Sequence, residues 1–319
     1  MKYLSYGIYS NDSEYNNNRF IYNKLFNVFP LAIYYVNSKY DITFLIRKFI
    51  HYKSKFSIRC GGHAYEPASL SNGYIIDVKN INYIKINDKN KIVKFGSGVK
   101  LGQLAHALKK YHLITPTGDH SCVGISGLSL TGGKGYLTRL YGMTCDNILS
   151  LKIVDSRGKR TYVDKNHHSN LFWAFKGAGI CNFGVVYEIT LKLYDDLYFQ
   201  KVSLTWDWNS SVIFDVLKLY QTWVLFIPKN ITTNLNITYN NNNATFRIDF
   251  YKFNKDNFSE IDDFRNLHCP NCTNCEGYYS QMTDCWLGTD TGEVQPFSKM
   301  KSTMIFEPSI NEEYINYYI

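Results

Sequence analysis

The sequence predicts a two-domain α+β protein, on three observations. At 319 residues the chain is longer than one compact core usually serves. Residues 30–59 alternate strand, helix and strand signals, the opening of a mixed α/β domain. After about residue 195 the texture changes to alternating segments around an Asn run, the pattern of an antiparallel hairpin with Asn in the turn. Apolar residues make up 45% and charged residues 19%, so the chain has enough apolar surface to build a core and is not disordered by composition.

The elements follow in order. Residues 1–27 read as a polar lead-in, rich in Tyr and Asn. Pro30 to Val36 is a short apolar run with β-branched residues and reads as a strand. Asp41 to Ile50 has helical spacing with an acid near its start. Phe56 to Arg59 is a strand entering a glycine turn. Tyr74 to Val78 and Ile92 to Gly98 read as strands, and Lys100 to Leu108 as an amphipathic helix. Val123 to Gly135 is glycine-rich. Leu149 to Asp155 and Gly184 to Leu193 are strands. Helical spacing returns at Ser211 to Val224, and Asn234 to Tyr239 with Ala244 to Tyr251 form the expected hairpin. The domain boundary falls near 195–200.

The formal net charge is +8. Lys and Arg are scattered, and the densest spot, Lys299 to Lys301, is two lysines around a Met. A solvated basic surface accounts for this better than a nucleic-acid stripe, and no nucleic-acid partner is expected. No stretch reaches about 18 apolar residues, so no membrane span is expected. The N-terminus lacks the apolar core of a secretory signal. Among the cysteines, Cys60, Cys122, Cys145 and Cys181 stand alone, while Cys269, Cys272, Cys275 and Cys285 cluster. Two short spacings could hold zinc, but a zinc site usually pairs two knuckles across a longer loop, and here three cysteines crowd one turn. Loop disulfides and reduced thiols stay open as readings. No metal is expected.

Three constellations carry chemistry. In Arg59-Cys60-Gly61-Gly62-His63-Ala64-Tyr65 a strand feeds two glycines and a histidine. Gly-Gly lets backbone approach a ligand, and successive amides can cradle an anion. Alone, the histidine reads as structural. In Gly124 to Gly135, glycine recurs at spacing three, then as a pair, then once more. That suits amides against a pyrophosphate, yet it is neither the Gly-x-Gly-x-x-Gly fingerprint nor a Walker loop. In Asn170 to Gly179, followed by Phe183-Gly184-Val185-Val186, an aromatic helix end meets a Gly-x-Gly turn and a strand. By itself this is core packing with a sharp turn.

Together, in this order and spacing, the segments resemble the FAD domain of the vanillyl-alcohol oxidase superfamily. The likeness is greatest to the berberine bridge enzyme-like oxidases with a p-cresol methylhydroxylase-type FAD domain. The family pattern runs Arg-x-Gly-Gly-His-x-Tyr, Val-Gly-x-x-Gly-x-x-x-Gly-Gly, then Tyr-Gly-x-x-x-Asp-Asn (here Tyr141 to Asn147), Leu-Phe-Trp-Ala-x-x-Gly-x-Gly and Phe-Gly-Val-Val. The likeness covers residues 28–195, with a weaker echo at Phe297 to Pro308 around Lys301-Ser302. It implies an FAD-binding domain of two α/β subdomains at 28–196 and a shortened α+β substrate-type domain with an antiparallel sheet at 197–319.

The resemblance also implies roles. His63 matches the histidine that bonds the flavin 8-methyl carbon, and Arg59, Cys60, Gly61, Gly62 and Ala64 match the first pyrophosphate turn. Val123, Gly124, Gly127, Gly132 and Gly133 match the loop along the isoalloxazine and pyrophosphate. Asp146 and Asn147 match a segment near the cofactor, and Gly184 and Val186 a strand beside the adenosine. Valine at position 123 favours oxygen as electron acceptor in the family. The implied activity is an FAD-linked oxidase taking hydride from an alcohol, sugar or amine carbon. The alternatives are a flavin-binding protein without turnover and a dehydrogenase with another acceptor.

Two departures from the family stand out. Many members carry a second flavin bond from a cysteine in Cys-x-x-Val-Gly, where this chain has His120. Cys122 lies two residues later, which in a strand keeps the same face but shifts it roughly 6.6 Å, at about 3.3 Å per residue. The second departure is length, since the family's usual base lies in a segment beyond Ile319. By chemistry alone, Tyr141, His120 and Asp119 are the candidates for a base.

Overall fold

The structure is a computed structural model that describes residues 6–180, 182–240 and 243–288. Within these residues the chain divides into two compact units: 6–195 with 286–288, and 196–285. The likeness at Phe297 to Pro308, the Lys299–Lys301 spot and Cys181 lie outside the described residues.

The first unit opens with β1 (Tyr6–Tyr9), α1 (Tyr15–Arg19), β2 (Ala32–Tyr35), α2 (Lys39–His51), β3 (Phe56–Arg59) and β4 (Tyr74–Asp77). They form one sheet in the order β1-β2-β4-β3, with β2, β4 and β3 parallel and β1 antiparallel at the edge. Helix α2 makes the crossover. Its start is fixed by Ser38, whose Oγ accepts from the amides of Tyr40 and Asp41, while Asp41 Oδ2 accepts from those of Asn37 and Ser38. Its buried face, Ile42, Leu45, Ile46 and Phe49, packs on Ala32, Tyr34 and Ile76 of this sheet and on Val154, Val185 and Tyr187. Burying four such side chains contributes about 6–12 kcal/mol before entropy.

The polar lead-in proves to be structured. Tyr6 to Tyr9 pair with Tyr35 to Ala32, and Ile8 and Tyr15 join Ile33, Tyr35 and Ile75 in a buried cluster. A four-residue strand is too short to show its period against Asn-rich neighbours.

A second sheet follows from β5 (Ile84–Asn87), β6 (Ile92–Gly96), β8 (Ile148–Val154), β9 (Arg160–Asp164) and β10 (Val185–Lys192). Its order is β5-β6-β10-β8-β9, antiparallel throughout. Helices α3 (Leu101–Lys109), α4 (Ile125–Leu130) and α6 (Ser169–Ala178) cover it with Leu104, Leu108, Ile125, Leu130, Phe172 and Phe175. Between them lie β7 (Leu113–Ile114), paired with β11 (Tyr194–Asp195), and α5 (Thr138–Tyr141). The aromatic segment read as core packing divides: Phe172 and Phe175 are buried, but Trp173 is 80% exposed. Helix α6 breaks at Lys176 and Gly177, where Gly177 takes φ +133°.

The second unit holds β12 (Tyr198–Asp207), α7 (Ser210–Trp223), β13 (Ile231–Asn240), β14 (Asn243–Lys252), α8 (Asp262–Asn266), β15 (Asn271–Tyr278) and α9 (Thr283–Trp286). Its antiparallel sheet runs β13-β14-β12-β15. Val202, Leu204, Trp206, Phe246, Ile248 and Phe250 face Ile213 and Val216 of α7. Of the three cysteines expected to crowd one turn, Cys272 and Cys275 lie along extended β15, and Cys269 precedes it. Cys272 and Cys275, three residues apart, fall on opposite faces about 10 Å apart along the strand, which keeps them from sharing an ion. Cys275 is bonded to Cys285, while Cys269 and Cys272 are exposed thiols. Among the described residues no group of three or more His, Cys, Asp or Glu could hold a metal ion. No described helix is long and apolar enough to cross a membrane.

Candidate cofactor site

Strand β3 delivers Arg59 beside Asp77 of β4, its partner in the register. Arg59 Nε donates to Asp77 Oδ2 at 2.7 Å, and its Nη1 donates to the carbonyl of Asn18 at 2.8 Å. Both side chains of the ion pair are buried. The guanidinium charge is therefore balanced within the protein, and Arg59 pins the start of the turn to the N-terminal segment.

The next residue, Cys60, donates its thiol to the Ser97 carbonyl at 2.8 Å. Burial, with the nearby Asp77 carboxylate, pushes this thiol up to about 12. Ser126 Oγ donates to the same carbonyl at 2.7 Å. Gly61 then packs backbone to backbone against Gly124: a Cβ at Gly61 would sit 2.4 Å from Gly124 N, and one at Gly124 would sit 2.4 Å from Cys60 Sγ. Two glycine segments distant in sequence are thus pressed together, and each glycine is required by the other. Gly62 follows with φ +62°, a left-handed conformation that favours glycine.

His63 ends the turn. Tyr22 stacks on its imidazole with ring centroids 4.0 Å apart and planes at 20°, and Tyr22 meets Tyr65 edge-on at 5.8 Å. The Tyr22 amide donates to the Gly62 carbonyl at 2.7 Å. The His120 ring lies 6.1 Å from that of His63. One cavity of about 220 Å³ opens here. Its walls are Asn17, Asn18, Phe20 to Tyr22, the turn Arg59 to His63, Tyr35, Asp77, Lys79, Lys100 and Cys122.

Around His120 the extended geometry expected from the sequence is overturned. Residues 120–123 form a tight turn in which the Val123 amide donates to the His120 carbonyl at 3.2 Å. Flanking ladder bonds force it: Leu101 N donates to Val123 O, Gly102 N to Ser121 O, Ser121 N to Gly288 O and Gly288 N to Asp119 O. The offset along a strand therefore does not apply, and Cys122, itself buried, lines the same cavity as His63. Asp119 Oδ1 lies 2.9 Å from His120 Nδ1. Burial pushes the Asp119 carboxyl up, but hydrogen bonds from His120 and Tyr136 and the His120 charge outweigh it, so Asp119 sits below the usual carboxylate range.

The remaining predicted residues fall outside the cavity. Gly127, in α4, has nothing within 4 Å of a Cβ position. Gly132 and Gly133 take φ of +111° and +82°, and their carbonyls accept from the Cys145 and Thr144 amides. The second glycine pair therefore packs on the Tyr141–Asn147 element. Within that element Asp146 Oδ2 accepts from the Met143 amide, and Asn147 Nδ2 donates to the carbonyls of Tyr141 and Met143. Both side chains shape their own loop. Tyr141 stacks on Tyr194 at 3.8 Å; burial, with Tyr194 and Asp195, raises its hydroxyl. It stays protonated at neutral pH and serves poorly as a base. Gly184 has φ +132° against the Val154 carbonyl, and Val186 is a core residue of β10. Ala64, half-buried, directly follows His63.

Sequence reasoning missed three contributors: Tyr22, the pair Lys79 and Lys100, and Ser97. Ser97 is buried, and its Oγ has no hydrogen-bond partner among the described residues. No local signal marks these residues, because each reaches the turn through the tertiary fold.

The comparisons agree with this architecture. Residues 30–163 match the model of an FAD binding domain. An FAD-linked oxidoreductase of Bacillus subtilis, YvdP, is 31% identical over 219 residues, covering 68% of this chain and 48% of that protein. The 6-hydroxy-D-nicotine oxidase of Arthrobacter nicotinovorans superposes with a TM-score of 0.82 at 26% identity, covering 88% of this chain and 63% of the other. Glucooligosaccharide oxidase of Acremonium strictum, whose flavin is described as 6-S-cysteinyl, 8α-N1-histidyl FAD, superposes with a TM-score of 0.77 at 19% identity, covering 88% and 60%. The chain spans about half the length of the curated relatives it matches. The fold matches that of FAD-binding oxidases of the p-cresol methylhydroxylase type. Over the matched residues the chain carries an FAD binding domain, and through it the chain is similar to FAD-linked oxidoreductases.

Proposed function

We propose that this chain is an FAD-dependent oxidase that carries its flavin on His63 and takes hydride from an alcohol, sugar or amine carbon. One observation carries the reading: His63 and Cys122 line a single cavity whose floor is the Gly61-Gly62 turn. The residues present fit the cofactor. Lys79 and Lys100 bring positive charge to the cavity wall, which suits a pyrophosphate. Gly127 leaves open space where a Cβ would stand, and the buried Ser97 hydroxyl has no partner among the described residues. The cavity volume of about 220 Å³ takes a portion of the dinucleotide.

When bound, FAD supplies the redox chemistry, accepting a hydride equivalent and passing two electrons to dioxygen. The chain's own residues bind, orient and move protons. Arg59, held by Asp77, fixes the turn. The ionised Asp119 beside His120 Nδ1 keeps a proton on that nitrogen and so orients the ring. That leaves the His120–Asp119 pair, near His63, as the best-placed proton acceptor of the three sequence candidates. Tyr141, stacked on Tyr194 outside the cavity, is the weakest. Cys122 on the same wall offers a second attachment point, as in the glucooligosaccharide oxidase flavin. Val123 favours oxygen as acceptor.

The test has two stages. Acid-denatured protein run on an unstained gel shows flavin fluorescence in the band, and peptide mapping places the modification on His63, with a second mass on Cys122 if both link. Anaerobic mixing with a panel of sugars, alcohols and amines then bleaches the flavin near 450 nm with one class of substrate, and air restores it with release of peroxide. A colourless band ends the covalent reading. Flavin that no substrate bleaches ends the oxidase reading in favour of flavin binding without turnover. Reduced flavin that resists air but yields to an artificial acceptor assigns a dehydrogenase.

A further inference from the structure

We infer that Tyr22 is the positioning residue for His63: its stacked ring holds the imidazole in the orientation from which the flavin bond forms. This rests on the proposal that His63 carries the flavin.

A histidine that ends a Gly-Gly turn has little neighbouring bulk to fix its side-chain torsions. Here a ring from the N-terminal segment supplies a constraint. The Tyr22 ring lies 4.0 Å from the His63 ring, nearly parallel at 20°. Tyr22 is itself fixed at two points, by its amide bond to the Gly62 carbonyl at 2.7 Å and by the edge-on contact with Tyr65 at 5.8 Å. The His120 ring stands 6.1 Å from His63 at a 47° tilt. The imidazole plane is therefore set by a neighbour on the same cavity wall.

Attachment makes one bond, from an imidazole nitrogen to the 8-methyl carbon of FAD. One N–H and one methyl C–H are lost, and the two protons and two electrons go to dioxygen as hydrogen peroxide. Such a reaction depends on the nitrogen being aimed at the carbon. An aromatic pair of this geometry biases orientation by about 2- to 10-fold.

The test follows covalent attachment in apoprotein from riboflavin-starved cells after FAD is added. Fluorescence of acid-denatured bands gives the rate, and flavin absorbance of desalted native protein gives total binding per folded chain. Tyr22→Ala slows attachment per bound flavin about 2- to 10-fold, beyond any fall in total binding, and Tyr22→Phe, which keeps the ring, restores the wild-type rate. Three results overturn the inference: Tyr22→Ala attaching at the wild-type rate, a loss that merely tracks total binding, or Tyr22→Phe as slow as Tyr22→Ala. Wild-type protein with no covalent flavin would instead overturn the reading of His63 on which the inference stands.

Discussion

Replacing Gly61 and Gly127 separately, each by alanine, distinguishes a glycine kept for packing from one kept for a ligand. A Cβ at Gly61 would lie 2.4 Å from Gly124 N and 2.8 Å from Gly124 Cα. Both neighbours are backbone, so relief requires the two glycine segments to part. Overpacking of this kind costs about 1–3 kcal/mol, and a site that only backbone movement can relieve belongs at the upper end. At Gly127 nothing lies within 4 Å, and the residue is inside α4. Alanine there gains about 0.5–1 kcal/mol over glycine in helix. Urea unfolding of the apoprotein, followed by circular dichroism, reads both. Gly61→Ala lowers the midpoint, Gly127→Ala leaves it equal or higher, and an FAD titration shows weaker binding for both. Equal destabilisation by the two substitutions, or a Gly61→Ala change within about 0.5 kcal/mol of zero, would refute the packing argument. Undiminished FAD affinity in Gly127→Ala would refute close approach of the cofactor at that helix.

Three further outcomes are expected. Arg59→Ala leaves Asp77 buried without its ion partner and destabilises the apoprotein by about 3–5 kcal/mol, with part of the loss recovered in the double variant Arg59→Ala, Asp77→Asn; urea midpoints measure both. Ser97→Ala removes a buried hydroxyl that lacks a partner among the described residues, so apoprotein stability holds or rises while FAD affinity falls about 5-fold, the worth of one hydrogen bond. Burial raises the Cys60 thiol from its usual 9.0 to about 12, so its contribution is fully present below pH 9 and is lost as pH rises from 9 towards 12. Cys60→Ala flattens that alkaline loss, and iodoacetamide at pH 8 labels the exposed Cys269 and Cys272 while sparing Cys60.

Much of the fold was legible because its elements carry strong local periods. Helix α2 announces itself through Ile42, Leu45, Ile46 and Phe49 and through the acid near its start. Strand β3 ends at a glycine pair that no regular element continues. Strands β1, β5 and β9 lie at sheet edges and bury at most one residue each, so they carry no apolar run. The cysteine cluster left its readings open because close spacing in sequence does not fix closeness in space, and extension along β15 sets Cys272 and Cys275 apart. The site was legible where chemistry is local, in Arg59 to Ala64 and the glycines from 124 to 133. Asp146 and Asn147 were found by pattern, yet their side chains hold their own loop.

The sequence by itself determined that a strand would feed Gly61, Gly62 and His63, that a second glycine segment would follow, and that both suit an FAD-binding domain. Those features depend on backbone conformations that only glycine takes easily and on a period read over a few residues. Tertiary structure alone decided that Gly61 touches Gly124, that Tyr22 lies on His63, and that the turn at 120–123 brings Cys122 to the same cavity. Each is a contact between segments separated by tens of residues, or a turn imposed by such contacts. Local sequence carries no term for them, because they exist only once the sheets and helices have packed.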